Sequence, residues 1–528
     1  MRRSLVAAFA ALGVLVLAST ATGRVLRVGV YKGIAGQFSS IQAAVKAAKP
    51  GDWILIAPGD YREQGVPGSS EPAGVLIRTA RVHLRGMNRN SVIVDGTKPG
   101  ARPCSSRRQD QVVTRRGRNG VEAFKASGVY IENLTVCNFL TNAAGAQEGN
   151  QIWWNGGDGS GKIGMGAWWG DYLTATSTFS EGVSAPYGAY GIFVSNSRGP
   201  GVVDQSYASN MGDSSYYVGA CPDCNAVITH ARGQDSALGF SGTNAGGHLI
   251  IENSEFDQNK SGPTANSRNN DDAPSPLSGR CPHGAPGPLG NGICEIWRDN
   301  LIHDNNNPDV PGNGVNGVAG LIPVGTGVVL GGTQYVDLYH NRIYNNNAWG
   351  VTVVDFPDQE TPARIAHCRG GIYLTPPPAK NPLCYYLSFG NVVAGNAFAH
   401  NGSYANPTNG DIALYAQPHD PGNCFTGNTD PDGLSSVPLS IQASPFNPCG
   451  QKNGSTDPSA LTQLACALKL AACPAGTRYP QPARAFKLRM PRRQPTMPHP
   501  CAGVPANPWC ASPAHTKHPS GGHPAGLG

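Results

Sequence analysis

Asn253-Ser-Glu-Phe256-Asp-Gln-Asn259 is the phrase that decides the fold, because the chain repeats it. Asp204-Gln-Ser-Tyr207-Ala-Ser-Asn210, Asn300-Leu-Ile-His303-Asp-Asn-Asn306 and Asn341-Arg-Ile-Tyr344-Asn-Asn-Asn347 follow the same pattern, and Asn396-Ala-Phe-Ala399-His-Asn401 is a looser copy. Apolar runs such as Val202-Val203 and Leu249-Ile250-Ile251 precede most copies. Successive copies start 49, 47, 41 and 55 residues apart. Read as two coils per interval, these spacings predict a solenoid of about 20–25 residues per coil. A unit that short cannot bury its apolar face alone and must stack on its neighbours.

Outward from the repeats, the composition agrees. With 14% charged residues, 69 Gly and abundant Asn, the body suits a turn-dense, all-β architecture. Residues 1–23 combine Arg2-Arg3, an apolar run from Leu5 to Ala18 and small residues at a cleavage zone, the pattern of a secretory signal peptide. No other stretch approaches membrane length, so the expected localisation is secreted, extracellular or cell-surface, with the membrane not spanned. Export accounts for fourteen cysteines, an even number, and Cys221-Pro-Asp-Cys224 reads as a loop disulfide because no second CxxC completes a zinc site.

The net charge of +6 is concentrated at one end. Seven Lys or Arg and no acid follow residue 473; removing them and Arg2-Arg3 leaves the rest at −3. The body therefore shows no basic face for nucleic acid. Residues 474–528, rich in Pro and basic, are expected to be disordered. Residues 428–473 read as a C-terminal cap in which Asp457 starts a short helix running to Cys473.

Gln37 to Glu63 supplies the other end. Ser39 or Ser40 caps a short helix with apolar Ile41, Ala44, Val45 and Ala48; Pro50-Gly51 stops it, and Trp53-Ile-Leu-Ile-Ala57 is a buried strand. This segment resembles the N-terminal cap and first coil of right-handed parallel β-helix proteins of the pectin-lyase-like superfamily. The resemblance covers roughly residues 28–96 and 118–415. It implies a three-sheet solenoid over residues 24–427 with a capping helix, interrupted here by insertions at 144–187 and 260–294. First strands are assigned to Val121–Phe124, Ile192–Ser195, Leu238–Ser241, Pro263–Asn266, Val328–Leu330, Val351–Val354 and Ile412–Tyr415. Period-two alternation puts Leu238, Phe240, Ala265, Leu330, Val351 and Val353 inside, with Ser241, Thr264, Asn266 and Thr352 outside. The recurrent Asn residues are expected to form an internal ladder at a tight bend.

The resemblance also implies an active site outside the first-strand sheet, near the turn leading into it. On that basis His230, Arg232 and Asp235 are candidate catalytic residues, joined from the next coil by Arg268, Asp271 and Asp272. Arg232 and Arg268 suit the carboxylates of an acidic polysaccharide, and Asp235 with Asp271 or Asp272 suits either acid–base work or Ca²⁺ ligation. No other cofactor is called for. Ser241, Asn266, Trp153, Trp154, Trp168 and Trp169 are candidate substrate-binding residues, the tryptophans offering flat faces for sugar rings. Each has a structural alternative: a turn cap for His230, a solvated turn for Asp271-Asp272, packing for the tryptophans.

Known signatures depart. The polygalacturonase Asp-Asp step is here Asp235-Ser236, and the pectate-lyase Trp-Ile-Asp-His and alginate-epimerase Asp-Pro-His-Asp patterns are absent. The expectation is a monomeric secreted protein acting on an extracellular polysaccharide as lyase, epimerase or glycoside hydrolase, or else a non-catalytic glycan-binding β-helix.

Overall fold

The computed structural model describes residues 23–510 except 146–147, 269–276, 315–318, 321, 359–367, 369, 376–382, 443–451, 456–457, 468–470 and 484. The signal-peptide reading, apart from Gly23, together with Asp457, Asp271 and Asp272, therefore lies outside the described residues.

Strand after strand pairs in parallel with the strand three places on, which builds a three-sheet β-helix. Among the described residues the first sheet has 11 strands, the second 12 and the third 10. All seven assigned first strands lie in the first sheet. One apolar core runs the whole length, from Leu26 through Ile131, Phe240 and Leu338 to Ile441. Phe240, Ala265, Leu330, Val351 and Val353 point into it as the alternation requires. Leu238 does not. It faces outward into a second cluster with Val329, Phe356 and Tyr386, because a three-stranded antiparallel sheet (Phe356–Asp358, Ile372–Thr375 and Leu383–Tyr386) covers the first sheet there.

The helix Ile41–Ala47 closes the N-terminal end. Ser40 caps it through Ala43 N–H, and Glu63 accepts from Ile41 N–H at 2.6 Å and Gln42 N–H at 3.2 Å, so one carboxylate meets the positive end of the helix.

The Asn residues form ladders that fix the bends. Asn259 donates to Asn305 at 3.0 Å, Asn305 to Asn346 at 3.0 Å and Asn346 to Asn401 at 3.2 Å. A second ladder joins Asn300, Asn341, Asn396 and Asn428. The coil count differs from the spacing argument. Only the interval from Asp204 to Asn253 holds two coils, with third-sheet strands at Tyr207–Ser209, Arg232–Gln234 and Glu255–Asp257. The later intervals hold one coil each plus an outlying loop, since Glu255–Asp257, Leu301–His303, Arg342–Tyr344 and Ala397–Ala399 are direct neighbours.

The stretch expected as an insertion at 144–187 instead holds a coil of the solenoid over residues 152–176. Ile152–Asn155, Met165–Asp171 and Thr174–Thr176 give one strand to each sheet. In residues 260–294, Ser261–Asn266 is a first-sheet strand, and the excursion follows it, held by Cys281–Cys294. Cys221 and Cys224 are disulfide-bonded, as the spacing suggested.

The basic tail differs most from its expectation. Residues 477–510 run back along the body from the last coils to the first. Arg478 N–H donates to Asn406, Asn210 donates to the Arg489 carbonyl at 2.8 Å and Asn90 to the Gln494 carbonyl at 2.8 Å. Arg85 then donates to the Ala502 carbonyl at 2.7 Å, and Trp509 Nε1 to the Ile34 carbonyl at 2.9 Å beside the N-terminal strands. The hydrogen bonds that order this strap come largely from body side chains, which its own composition does not reveal.

Candidate functional site

The structure separates the sequence candidates. His230 sits at φ 45° at the bend between second and third sheets and pairs with Asp204 at 2.9 Å. Arg232 points outward from the third sheet and forks onto Asp257 at 3.0 and 2.9 Å. Asp235 lies at φ 52° at the next bend, 5% exposed, with the strap's Arg489 at 3.7 Å. Burial pushes its carboxyl up to about 6, against the pull of Arg489. These three residues thus belong to the third sheet and its corners, each with a side-chain partner there.

Arg268 follows the first-sheet strand Ser261–Asn266, its backbone held by the Asn244 amide at 2.8 and 2.7 Å. Its charge acts on Tyr190 and Asp213. Ser241 and Asn266 lie on the outer side of the first sheet but are buried, and both Asn266 amide atoms lack a hydrogen-bond partner among the described residues. The four tryptophans divide three ways. Trp154 and Trp168 fill the core at 5.7 Å from each other. Trp169 joins an outer stack on the second sheet, Trp53–His83–Tyr130–Trp169, with centroids 3.9, 4.1 and 4.2 Å apart. Only Trp153 of the four stands outside the first sheet, stacked on Phe193 at 4.9 Å.

A groove of about 550 Å³ opens there, lined among others by Arg116, Glu148, Trp153, Tyr187, Tyr190 and Asp213. The coils build it by the residues that enter their first-sheet strands. Asp213 N–H bonds the Ala189 carbonyl at 3.0 Å, which sets it one coil beyond Tyr190. Gly212 beside it must lack a side chain, since a Cβ would stand 2.5 Å from the Tyr187 ring. Tyr190 stacks on Phe193 at 4.4 Å, so the rings of Trp153, Phe193 and Tyr190 form one row.

The groove holds several groups whose ionisation burial perturbs. Burial pushes Asp213 up to about 6, while its partner Tyr190 and the Arg268 charge pull it back. Burial and the neighbouring Asp213 push the Tyr190 phenol well above its ordinary value, so it keeps its proton. Glu148 is raised by burial, partly offset by Asn119 and Arg116. Behind it Glu122, fully buried, is raised to about 7 by burial against hydrogen bonds from Asn155 and Asn119.

Among the described residues no three His, Cys, Asp or Glu side chains stand together to hold a metal ion. The Ca²⁺ alternative pairs Asp235 with Asp271 or Asp272, which lie outside the described residues. Asp213, Tyr190, Glu148, Glu122 and Arg116 were missed by sequence reasoning. Coil spacing contained the signal for Asp213: Ser214, Leu238 and Ser261 begin successive first-sheet strands 24 and 23 residues apart.

No family model matches the chain, and no curated protein matches it. Solved structures resemble it at low similarity. The A-module of mannuronan C-5 epimerase AlgE4 from Azotobacter vinelandii is 15% identical over 74% of this chain and 93% of that one, with a TM-score of 0.41. An alginate lyase from Paenibacillus sp. str. FPU-7 is 13% identical over 76% and 98%, with a TM-score of 0.37. Pectate lyase Pel9A is 11% identical over 83% and 90%, with a TM-score of 0.35. The three parallel sheets themselves establish this chain as a three-sheet parallel β-helix.

Proposed function

We propose that this protein acts outside the cell on a uronate-containing polysaccharide, removing the C5 proton of a sugar bound in the groove over the first sheet. The observation that carries the reading is the meeting of Asp213, Tyr190 and the Arg268 charge on that surface. A C5 proton lies next to a carboxylate, so its removal needs a base and a cation that neutralises the carboxylate. Asp213, ionised above about pH 6, is the base. Tyr190 keeps its proton and holds Asp213, and Arg268 with the exposed Arg116 supplies positive charge. Trp153, Phe193 and Tyr190 give the sugar chain a flat wall.

The test is incubation with uronate and neutral polysaccharides in deuterated water, following unsaturated products, reducing ends and deuterium at C5. Uronate turnover is expected, falling about 10²–10⁴-fold in Asp213→Asn, the usual worth of a general base. Turnover unchanged in that variant would refute the assignment. The aromatic row also suits a glycan-binding protein without turnover. Binding without any product, lost in Trp153→Ala, would establish that second reading instead.

A further inference from the structure

The proton acceptor proposed above leaves the leaving group without a proton, and a pair of carboxyls, one lining the same groove and one buried behind it, is unused. Asn119 Nδ2 donates to Glu122 Oε2 at 3.0 Å and to Glu148 Oε2 at 2.7 Å, and Asn155 Nδ2 donates to Glu122 Oε1 at 2.9 Å. Neither amide is free to flip. The Asn119 oxygen accepts from Asn150 N–H at 3.1 Å and the Asn155 oxygen from Gly157 N–H at 2.9 Å, so both nitrogens must face the acids. Glu122 is wholly buried behind this bridge, whereas Glu148 lines the groove.

A fully buried Glu122 and a half-buried Glu148 held by amides, with no cation hydrogen-bonded to either among the described residues, are costly unless at least one stays protonated. Burial raises both carboxyls, which favours their protonated forms. Their position suits its delivery. Glu148 lies just before the strand Ile152–Asn155 and Asp213 just before Ser214–Gly219, with Tyr190–Ser195 between them. Two strand steps of about 4.8 Å put the two chain positions about 10 Å apart, room for one sugar ring.

We propose that Glu148 is the proton donor to the leaving group, so that the groove cleaves its polysaccharide by β-elimination; this rests on Asp213 being the C5 base. Asp213 takes the C5 proton, and the C5–H electron pair becomes the C4–C5 double bond. The C4–O4 bond breaks with its electrons on O4, which takes the Glu148 proton and leaves as a hydroxyl. Asp213 then loses its proton to solvent and Glu148 regains one. Asn119 is a positioning residue that aims Glu148.

Two substrates separate the roles. One is the uronate polysaccharide; the other is a uronide with nitrophenoxide at C4, a leaving group that needs no proton. Glu148→Gln is expected to slow the polysaccharide by at least 10²-fold and the nitrophenoxy substrate by less than about 5-fold. Asp213→Asn slows both. Equal losses on the two substrates in Glu148→Gln, or no loss on the polysaccharide, would overturn the donor role while leaving the base intact. Wild-type protein that turns over neither, or Asp213→Asn that slows neither, would bring down the underlying reading and this inference with it. Thermal melting of each variant shows whether it is folded, and Glu148→Asp, which keeps an acid on a shorter arm, should recover part of the lost rate.

Discussion

Glu122 shows what one buried acid does to the whole protein. Its carboxyl holds a proton up to about 7 in the fold, against 4.5 in the unfolded chain. The folded state therefore binds the proton more tightly, and its contribution to stability is complete below about pH 4.5 and lost as pH rises through 7. The shift corresponds to about 3 kcal/mol. Glu122→Gln should remove this slope, so urea unfolding at pH 4.5 and pH 8 should differ less for the variant than for the parent. Asp213 predicts a rate effect of related origin: kcat/KM should rise with pH through about 6 and fall again where Glu148 loses its proton. A profile flat from pH 4 to 8 would exclude Asp213 as the base. Neither acid stood out in sequence. Glu122 is one letter in Asn119–Phe124, and its burial depends on Asn155, a coil away.

At the scale of strands and coils, much of the architecture was legible. The resemblance, with the turn glycines as markers, located seven of the eleven first-sheet strands among the described residues, and alternation then placed all but Leu238 of the six inward residues correctly. The coil at residues 152–176 was hidden because tryptophans occupy both faces of its strands: Trp153 out and Trp154 in, Trp168 in and Trp169 out. Asp235 drew attention as a charge near a first strand, but its bend turns it under the strap. The ladder predicts its own cost of breakage. Asn305 accepts from Asn259 and donates to Asn346 while satisfying the Phe256 carbonyl at 3.1 Å. Asn305→Ala should destabilise by about 3 kcal/mol, several buried groups losing partners at once, and calorimetry measures it.

Over the whole molecule, the strap couples ends that a stacked array would otherwise leave independent. Arg89, 1% exposed, shows how: it donates to Thr174 at 2.7 Å, to the Gln205 carbonyl at 2.8 Å and to the Pro495 carbonyl at 3.0 Å, and also to the Leu173 carbonyl. Trp509 is buried against Leu55, Ala57 and Met87 beside the first strands. Trp509→Ala should cost about 3 kcal/mol and expose residues 477–510 to limited proteolysis before the coils are cut. Coils and strap melting together in both proteins, with no early cleavage, would show that the strap adds nothing.

The strap also sets how the rod would bear force. Trp509 rests on Tyr31 at 5.6 Å between ring centroids, so the two ends of the described chain leave the molecule side by side. Tension between them would peel the strap contact by contact from the N-terminal end, while the coils stayed stacked and the groove kept its shape. A molecule loaded in this way yields first along its seam.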